Sequence, residues 1–316
     1  MEVPQMHVGV GATLGPLTFF PVWTSGPGTP GLTTGTNASI AVTELAGGAQ
    51  VGRLTATNNG PKAALLLEGE LLEGGQQHRI CVRDVVLAAG ETRDIDTYCV
   101  EAGRWEHGQN SHRRQARRAP LNVRSELAAA GSRRGHNGQR RVWERVGRFE
   151  TAMGVSATGS LLDHLDRAGQ DKRQYRRADL PAPLEGQRGL IIGLGHRPLL
   201  LEVFGSSNLF LRHYRQLVDS TLLDLSLLPP QAMASPAMPG QAARDFAGLV
   251  QSMNFGTFDG AALPPVDNGP GIRSRTLTSI RGSVTAAGIG VELPRRQPQL
   301  AHLTCWNTKH PLMEMA

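Results

Sequence analysis

The sequence predicts an α+β fold, in which an N-terminal antiparallel β region packs with later helices and a second β-hairpin. Two observations carry this prediction. Short apolar runs separated by turn residues fill the chain up to about residue 105, whereas convincing helical spacing of apolar residues begins only after residue 138. At 316 residues, of which 40% are hydrophobic, the chain is long enough to bury a substantial core.

The N-terminal β region is predicted from four strand-forming segments. The first two are GPLTFFPVW and SIAVTEL. Two longer stretches then have the form strand, turn, strand: one turns at residues 58–61 and the other at the AAGE sequence that begins at Ala88. Asn, Gly and Pro supply the backbone conformations that tight turns need. Four such segments in succession indicate an antiparallel sheet or a small sandwich.

The helices and the second hairpin are predicted after residue 138. The segment QRRVWERVGRFETAMG carries one apolar stripe, formed by Val142, Val146, Phe149 and Met153, and SATGSLLDHLDRA follows as a second helix. The stretch QRGLIIGLGHRPLLLEVFGS is typical of a hairpin. Its GLGHRP sequence is not a dinucleotide-binding loop, because Pro198 replaces the third glycine and a strand follows instead of a helix. A long helix then begins at SSNLF.

The predicted domain organisation is a main α+β unit at residues 1–228 with a C-terminal extension. The main unit comprises a β-rich part at 15–105, an arginine-rich segment at 106–138, and helices with the hairpin at 139–228. A Pro/Ala/Met linker opens the extension at 229–316, which we expect to pack on the same unit.

Positive charge is concentrated between Arg104 and Arg148. The chain has a net charge of +6, and this segment alone holds twelve arginines against three acids. Residues 108–138 show little periodicity and are expected to be a loop or partly helical. A basic segment can bind an acidic protein partner or nucleic acid. Because lysine is absent and the aromatic residues stand at the ends, the favoured interpretation is a solvated basic face or arginines paired with carboxylates elsewhere.

The cysteines predict a reducing compartment. Cys81, Cys99 and Cys305 are widely spaced, odd in number and without a CxxC pattern, which argues against a disulfide framework or a zinc knuckle. The N-terminal sequence lacks the features of a secretion signal, and no apolar run approaches the roughly 20 residues that span a bilayer. We therefore expect a cytoplasmic protein without membrane contact, and the residues indicate no metal site and no particular cofactor.

The candidate site has two parts. The first is LLLEGELLEGGQQHR, residues 65–79, and the second is CVEAGRW, residues 99–105. Carboxylates, amides and guanidiniums together accept, donate and bind anions, and glycines allow a ligand to approach the backbone. If the two strands are neighbours, these groups meet at one sheet edge. The alternative is a structural carboxylate–arginine network that holds the strand ends, and on the residues alone the two readings are evenly matched.

In these motifs the sequence resembles a poorly characterised bacterial and archaeal family, named for its association with ADP-ribosylglycohydrolase and rhodanese-phosphatase proteins. The segments EGELLEGGQQHR, LAAGETRDI and CVEAGRW stand in the family's order and at its spacing. His78 departs from the family's usual asparagine, although an imidazole also donates or accepts hydrogen bonds. The resemblance covers about residues 15–228 and implies a role near NAD or ADP-ribose metabolism.

The function predicted first is the binding or processing of a phosphorylated nucleotide of the NAD or ADP-ribose type, and whether there is catalysis stays open. Arginines would hold phosphate and carboxylates would bind ribose hydroxyls or act as acid and base. The catalytic candidates are Glu70 and Glu101. The ligand-binding candidates are Glu68, Gly74, Gly75, Gln77, His78, Arg79, Arg104 and Trp105. The alternatives are a non-enzymatic interaction or scaffold protein with a structural Glu/Arg network, and nucleic-acid binding through the arginine-rich segment.

Overall fold

The α+β class is confirmed by a computed structural model, which describes residues 1, 3–29, 31–103, 109–130, 137–170, 179–255, 266–267, 272–292 and 297–314. The strands are β1 (Met6–Val8), β2 (Ala12–Leu14), β3 (Leu17–Thr24), β4 (Thr33–Thr34), β5 (Ile40–Thr43), β6 (Arg53–Asn58), β7 (Ala64–Leu66), β8 (Leu71–Gly74), β9 (Arg79–Cys81), β10 (Val85–Leu87), β11 (Thr92–Cys99), β12 (Ser111–Arg113), β13 (Gly189–Leu194), β14 (Arg197–Phe204), β15 (Val266–Asp267), β16 (Arg273–Arg281), β17 (Val284–Glu292) and β18 (Gln299–Asn307). The helices are α1 (Leu121–Ala130), α2 (Asn137–Met153), α3 (Leu161–Gln170), α4 (Ser207–Asp224), α5 (Gly240–Gln251) and α6 (Pro311–Glu314).

The largest element is a nine-stranded sheet with the order β1-β3-β13-β14-β18-β17-β16-β15, in which β2 also pairs with β3. The predicted hairpin β13–β14 is present and lies in the middle of this sheet. Its residues alternate between two apolar cores: Leu190 and Ile192 belong to one, and Ile191 and Leu201 to the other. Burial on both faces explains why these strands are almost continuously apolar in sequence.

The N-terminal β region forms two further sheets. Six strands close into a small barrel in the order β11-β6-β5-β12-β8-β9, and β10, β7 and β4 form a three-stranded sheet. Buried apolar residues from the barrel strands and from β7 and β10 pack together, among them Val42, Leu54, Leu72 and Ile95. After the turn at residues 58–61 the chain leaves the barrel and enters the three-stranded sheet, so β6 and β7 do not pair with each other.

One barrel strand departs from the prediction. Residues 108–138 were expected to be a loop or partly helical, but β12 lies between β5 and β8 and closes the barrel. This strand is three residues long, too short to display a period of two, and its sequence Ser-His-Arg is wholly polar. The later part of the segment forms α1.

The helices α1, α2 and α3 share a separate core at one end of the barrel. The predicted stripe on α2 is confirmed, since Val142, Val146 and Phe149 are buried and Met153 packs at the margin. The N-terminus of α1 is capped by Asp224, the last residue of α4. Its carboxylate accepts hydrogen bonds from the backbone N–H groups of Leu121 at 2.7 Å and Asn122 at 3.2 Å.

The C-terminal segment contributes strands to the nine-stranded sheet. β18 pairs with β14 from Leu200–Trp306 to Phe204–His302, and β17 pairs with β18 on its other side. Residues 229–316 and 1–228 therefore share one sheet. Among the described residues, no helix combines the length and the apolar character that crossing a membrane requires.

Replacing Leu303 of β18 by alanine should lower the free energy of unfolding by about 2–5 kcal/mol, because a fully buried leucine would leave a cavity. The matched control is Ile280→Ala on β16, where the side chain is 61% exposed. The control should stay within about 0.5 kcal/mol of the wild type. Urea unfolding followed by circular dichroism measures the free energy of unfolding of both variants. Equal losses of stability in the two variants would contradict the central position of β18.

Candidate functional site

The motif residues separate into three groups in space. Glu68 belongs to a buried network between the three-stranded sheet and the nine-stranded sheet. Glu70 pairs with Arg114. The third group lies where β9 and β11 meet and consists of Gln77, His78, Arg79 and Glu101, together with Cys99. Arg104 and Trp105 lie outside the described residues.

The first group, which we call the interlayer network, consists of six ionisable side chains. As whole residues none of the six is more than 9% exposed; they are Glu68, Asp84, Arg118, Arg124, Glu202 and His302. Glu68 follows β7 and Asp84 precedes β10, so both come from the edge of the three-stranded sheet. The two arginines lie before and within α1, and the last two residues lie on the neighbouring strands β14 and β18. Three structural units thus meet at this network.

The two arginines both bridge Glu68 to Glu202. Arg118 donates from Nη2 to Glu68 Oε2 at 3.0 Å, from Nε to the Glu68 carbonyl at 2.8 Å, and from Nη1 to Glu202. Arg124 donates from Nε to Glu68 Oε2 at 3.1 Å and from Nη2 to Glu202 Oε2 at 3.2 Å. Its Nη2 also donates to Thr304 Oγ1 at 2.9 Å. The bridges tie the N-terminal β region to the middle of the large sheet.

His302 completes the network electrostatically. Its Nδ1 lies 2.7 Å from Asp84 Oδ2 and its Nε2 lies 3.1 Å from Glu202 Oε1. Burial alone would lower the pKa of His302, but the two carboxylates outweigh burial and raise it. Burial likewise opposes ionisation of Glu202, yet Arg118, Arg124 and His302 hold its pKa well below the usual range. With His302 protonated, three negative and three positive charges balance.

Two motif glycines make room for side chains of the same chain. Gly69 has φ of +77°, and a Cβ there would stand 2.8 Å from Cγ and Cδ of Arg124. Gly75 has φ of +56°, and a Cβ there would overlap the ring of His112, which itself lies 3.2 Å from Glu44. The sequence suggested that glycines admit a ligand to the backbone, whereas at these two positions the space is filled by Arg124 and His112.

Glu70, a predicted catalytic residue, is 1% exposed. Arg114 donates to its Oε1 from Nε at 2.8 Å, with Nη2 at 2.7 Å from the same oxygen. The backbone N–H of Leu67 donates to Oε2 at 3.4 Å. Arg114 also donates to the carbonyl of Ala38 at 3.1 Å, so the pair fastens the turn before β8 to the turn before β5.

The third group is held by amide and backbone hydrogen bonds. Gln77 Oε1 accepts from Arg79 Nη1 at 3.1 Å and from Cys99 Sγ at 3.2 Å, while Gln77 Nε2 donates to the Glu101 carbonyl at 2.9 Å. Glu101 Oε2 accepts from the backbone N–H of His78 at 3.0 Å. The imidazole of His78 accepts from the backbone N–H of Gly74 through Nδ1 at 2.9 Å, as an asparagine oxygen could.

The chemistry available to these groups is limited by burial. Burial raises the pKa of Cys99 and of Cys81, which favours the unreactive thiol over the thiolate. Two cavities of the described structure, one of about 50 Å³ beside Met1 and one of about 240 Å³ beside Arg148, are lined by residues outside the motifs. In the part of the chain described, no three His, Cys, Asp or Glu side chains are placed to hold a metal ion. In the part of the chain described, the motif side chains bond to groups of the same chain.

The arginine-rich segment is largely neutralised within the fold. Of its nine described arginines, seven pair with carboxylates: Arg114, Arg117, Arg118, Arg124, Arg140, Arg141 and Arg145. Only Arg113 and Arg148 have no ion pair within the described residues. The sequence favoured either a solvated basic face or pairing with carboxylates elsewhere. Arg114, Arg117, Arg118 and Arg124 pair with carboxylates outside the segment, whereas Arg140, Arg141 and Arg145 pair with its own Glu126 and Glu144.

The sequence did not single out the partners of Glu68. Arg118 and Arg124 lie in a segment without periodicity, and nothing in their spacing links them to β14 or β18. A weak signal was present in the strands themselves, since LLLEVF contains Glu202 and QLAHLTCW contains His302, each in an apolar run. Such a residue, Glu202 or His302, is rarely buried without a charged partner.

Gly69→Ala should cost about 1–3 kcal/mol more free energy of unfolding than Gly90→Ala, because its methyl group would displace Arg124. The two glycines are matched, since Gly90 has φ of +73° and no atom within 4 Å of a Cβ. Both alanines therefore carry similar backbone strain, and the difference isolates the contact with Arg124. If urea unfolding gave equal losses of unfolding free energy for the two variants, Arg124 would move aside without cost and the prediction would be wrong.

The contribution of His302 to stability should depend on pH. Its folded-state pKa is raised above the ordinary 6.5, so its stabilising effect is complete below pH 6.5 and is lost as the pH rises through the folded-state pKa. The pKa values of Asp84 and Glu202 are lowered from 3.8 and 4.5, so their contribution is present above those values and is lost at lower pH. The network should thus stabilise most between about pH 5 and 6.5.

The measurement is urea unfolding of the wild type and of His302→Gln from about pH 5 to alkaline pH. The difference in free energy of unfolding should be largest near pH 6 and should shrink at alkaline pH. Exposed His7→Gln serves as the control and should change stability by no more than about 0.5 kcal/mol. A difference that grows with rising pH would contradict the proposed protonation of His302.

Comparison with known proteins identifies the family of the chain. No curated protein and no solved structure matches it. A family model does match residues 5–306, which takes in both motifs and also the strands that carry Glu202 and His302. The match therefore extends past residue 228, where the resemblance of the motifs ended, and includes the complete interlayer network. The chain belongs to the family of the ARG and Rhodanese-Phosphatase-superfamily-associated Protein domain.

Proposed function

We propose that the chain is a non-enzymatic interaction or scaffold protein in which the Glu/Arg motif is a structural network. One observation carries this proposal: Glu68, Glu70 and Glu101 are each buried and each accept hydrogen bonds from the same chain. A group that acts as acid or base must come within hydrogen-bond reach of a substrate. These three carboxylates are instead engaged with arginine or backbone donors.

The network suits a scaffold because it fixes how the parts of the fold sit on one another. Buried ion pairs contribute little net stability, since desolvation offsets most of their attraction. They do penalise any arrangement that leaves one charge unpaired. A network that spans the three-stranded sheet, α1 and the large sheet therefore favours one relative arrangement, which a partner protein could recognise.

The competing proposal is an enzyme or binding domain for a nucleotide of the ADP-ribose or NAD type. It requires Arg79 and Glu101 to face a ligand. Arg79 is 0% exposed and bonded to Gln77, and Glu101 is bonded to His78. Docking of an acidic protein or nucleic acid through residues 104–148 has less support, because most described arginines of that segment are already paired.

A cytoplasmic location is part of the proposal. Cys81, Cys99 and Cys305 are all free and buried. Free thiols are compatible with a reducing compartment, in which disulfides do not persist.

Glu68→Gln should lower the free energy of unfolding by about 3–5 kcal/mol, because it removes one of the two carboxylates that Arg118 and Arg124 share and leaves buried positive charge unbalanced. The control is Glu144→Gln, which breaks the exposed pair with Arg140 and should cost about 0.5 kcal/mol or less. Thermal and urea unfolding measure both effects.

Titration calorimetry with ADP-ribose and with NAD separates the two proposals. The scaffold proposal predicts no saturable heat and no rise in Tm with either nucleotide. The scaffold proposal would be contradicted by a saturable heat of nucleotide binding that a folded Glu101→Gln variant loses. The proposal would also be contradicted if Glu68→Gln and Glu144→Gln had equal free energies of unfolding.

A further inference from the structure

The strand β16 at one edge of the nine-stranded sheet is covered over only part of its length. β15 pairs with it at Arg273 and Ser274, and beyond Ser274 no strand of the described residues lies on that side. Residues 275–281, which we call the open edge, are paired on their other side with β17. The backbone of the open edge is therefore placed to receive a further strand.

The geometry of the hairpin decides which backbone groups of the open edge point outward. Residues 282–283 form a two-residue turn, with φ of +59° at the glycine, so Arg281 and Val284 are a hydrogen-bonded pair of the ladder. Such pairs alternate along antiparallel strands with pairs whose N–H and C=O groups point away from the partner strand. The residues with outward groups are therefore Thr276, Thr278 and Ile280. Within the described residues, these groups make no hydrogen bond to another segment.

The open edge lacks most of the features that keep an edge strand from pairing with another chain. Native edges are blunted by short strands, bulges, prolines or charged side chains. β16 is nine residues long, keeps one register against β17 and contains no proline. Charge is the remaining device, since the exposed side chains of Arg275 and Arg281 stand at the two ends of the open edge. Whether a strand can dock here therefore depends on its charge.

The two arginines are not neutralised by the rest of the described chain. The residues opposite Arg275 and Arg281 on β17 are Gly290 and Val284, which carry no charge. Arg281 donates from Nη1 to the carbonyl of Ser252 at 2.8 Å, and no described carboxylate pairs with either guanidinium. Both positive charges can therefore attract an acidic partner.

The same arginines disfavour a second copy of the chain as the partner. Two copies of the open edge pair symmetrically through their outward groups, and the register that uses the whole edge sets Thr278 against Thr278. In that register Arg275 of each copy lies directly opposite Arg281 of the other. Like charges directly opposite each other are destabilising, whereas opposite charges are stabilising. The open edge therefore favours an acidic strand over a copy of itself.

The two faces of the open edge favour different side chains in a partner strand. Successive side chains point to opposite faces, so Arg275 and Arg281 lie on one face and Thr278 and Ile280 on the other. Ile280 is 61% exposed, which leaves apolar surface for a neighbouring side chain. A matching strand therefore carries acidic residues at every second position and β-branched apolar residues between them.

We propose that the open edge of β16 binds an extended acidic segment of a partner protein as an additional strand. The backbone of that segment pairs with the outward groups of β16, and its carboxylates pair with Arg275 and Arg281. This inference rests on the proposed scaffold function and names a surface through which a scaffold would hold its partner. The surface is distinct from the arginine-rich segment at residues 106–138.

The probe is a fluorescein-labelled peptide of alternating glutamate and valine, as long as β16 and with blocked ends. Fluorescence anisotropy measures its binding to the full chain. The wild type should bind the peptide saturably, and the affinity should fall as the salt concentration rises, because salt screens exposed charges. A peptide of alternating lysine and valine has the same tendency to form a strand but the opposite charge, and should bind at least about tenfold more weakly.

Thr278→Pro should bind the glutamate peptide at least about tenfold more weakly than Thr278→Val. Proline removes an outward N–H and leaves the ladder with β17 intact, whereas valine keeps that N–H. Arg275→Gln should weaken binding about threefold or more, because one of the two charges is lost. Arg197→Gln removes an exposed charge from the central strand β14 and should leave the affinity unchanged. The Tm of each variant checks that it is folded.

The proposal would be overturned if the wild type did not bind the glutamate peptide saturably, or if it bound the lysine peptide as tightly. Equal affinities of folded Thr278→Pro and Thr278→Val, or of folded Arg275→Gln and the wild type, would also overturn it. Self-association of the wild type in analytical ultracentrifugation, abolished by Thr278→Pro, would make a second copy the occupant and overturn the acidic partner. None of these results changes the nucleotide calorimetry or the stability of Glu68→Gln, so failure here is distinguishable from failure of the scaffold proposal.

Discussion

The fold depends on the double bridge from Glu68 through Arg118 and Arg124 to Glu202. Removing charges from water costs several kcal/mol for each ion. Such a bridge is therefore tolerable only when every buried charge has a partner of opposite charge. His302, held between Asp84 and Glu202, supplies the third positive charge when it is protonated, and the two carboxylates raise its pKa. The balance of charge requires side chains from β14, from β18, from α1 and the residues just before it, and from the edge of the three-stranded sheet.

This constraint changes how the family motif is understood. A run of glutamates and glycines at a strand edge suggests a ligand site, and its chemistry alone cannot exclude one. In three dimensions each part of the run has a steric or electrostatic counterpart. Glu68 matches two guanidiniums, Gly69 leaves space for Arg124, and Glu70 meets Arg114. At these three positions, residue types that would suit catalysis pair with buried arginines or leave room for one.

The sequence predicted the parts of the fold that have a local pattern. The stripe on α2 and the turn at Gly195 rest on residues a few positions apart, so periodicity and turn chemistry reveal them. The strand β12 has only three polar residues, and its place in the barrel is set by β5 and β8. The partners of the motif residues are harder to predict from the sequence than the fold. Glu68 and Glu202 are far apart in sequence, and their link through α1 follows from tertiary packing that no spacing encodes.

The helix α1 connects the network with the end of α4. Arg124 on its first turn is fastened to Glu68 and Glu202, and Asp224 caps its N-terminus beside Asn122. Asp224 is fully buried, and burial raises its pKa to about 7 against the hydrogen bonds from Asn122 and Leu121, which lower it. The backbone at Leu121 and Asn122 is therefore held to the end of α4. Because Arg124 lies in the same helix turn, the cap and the buried ion pairs fix the position of α1 together.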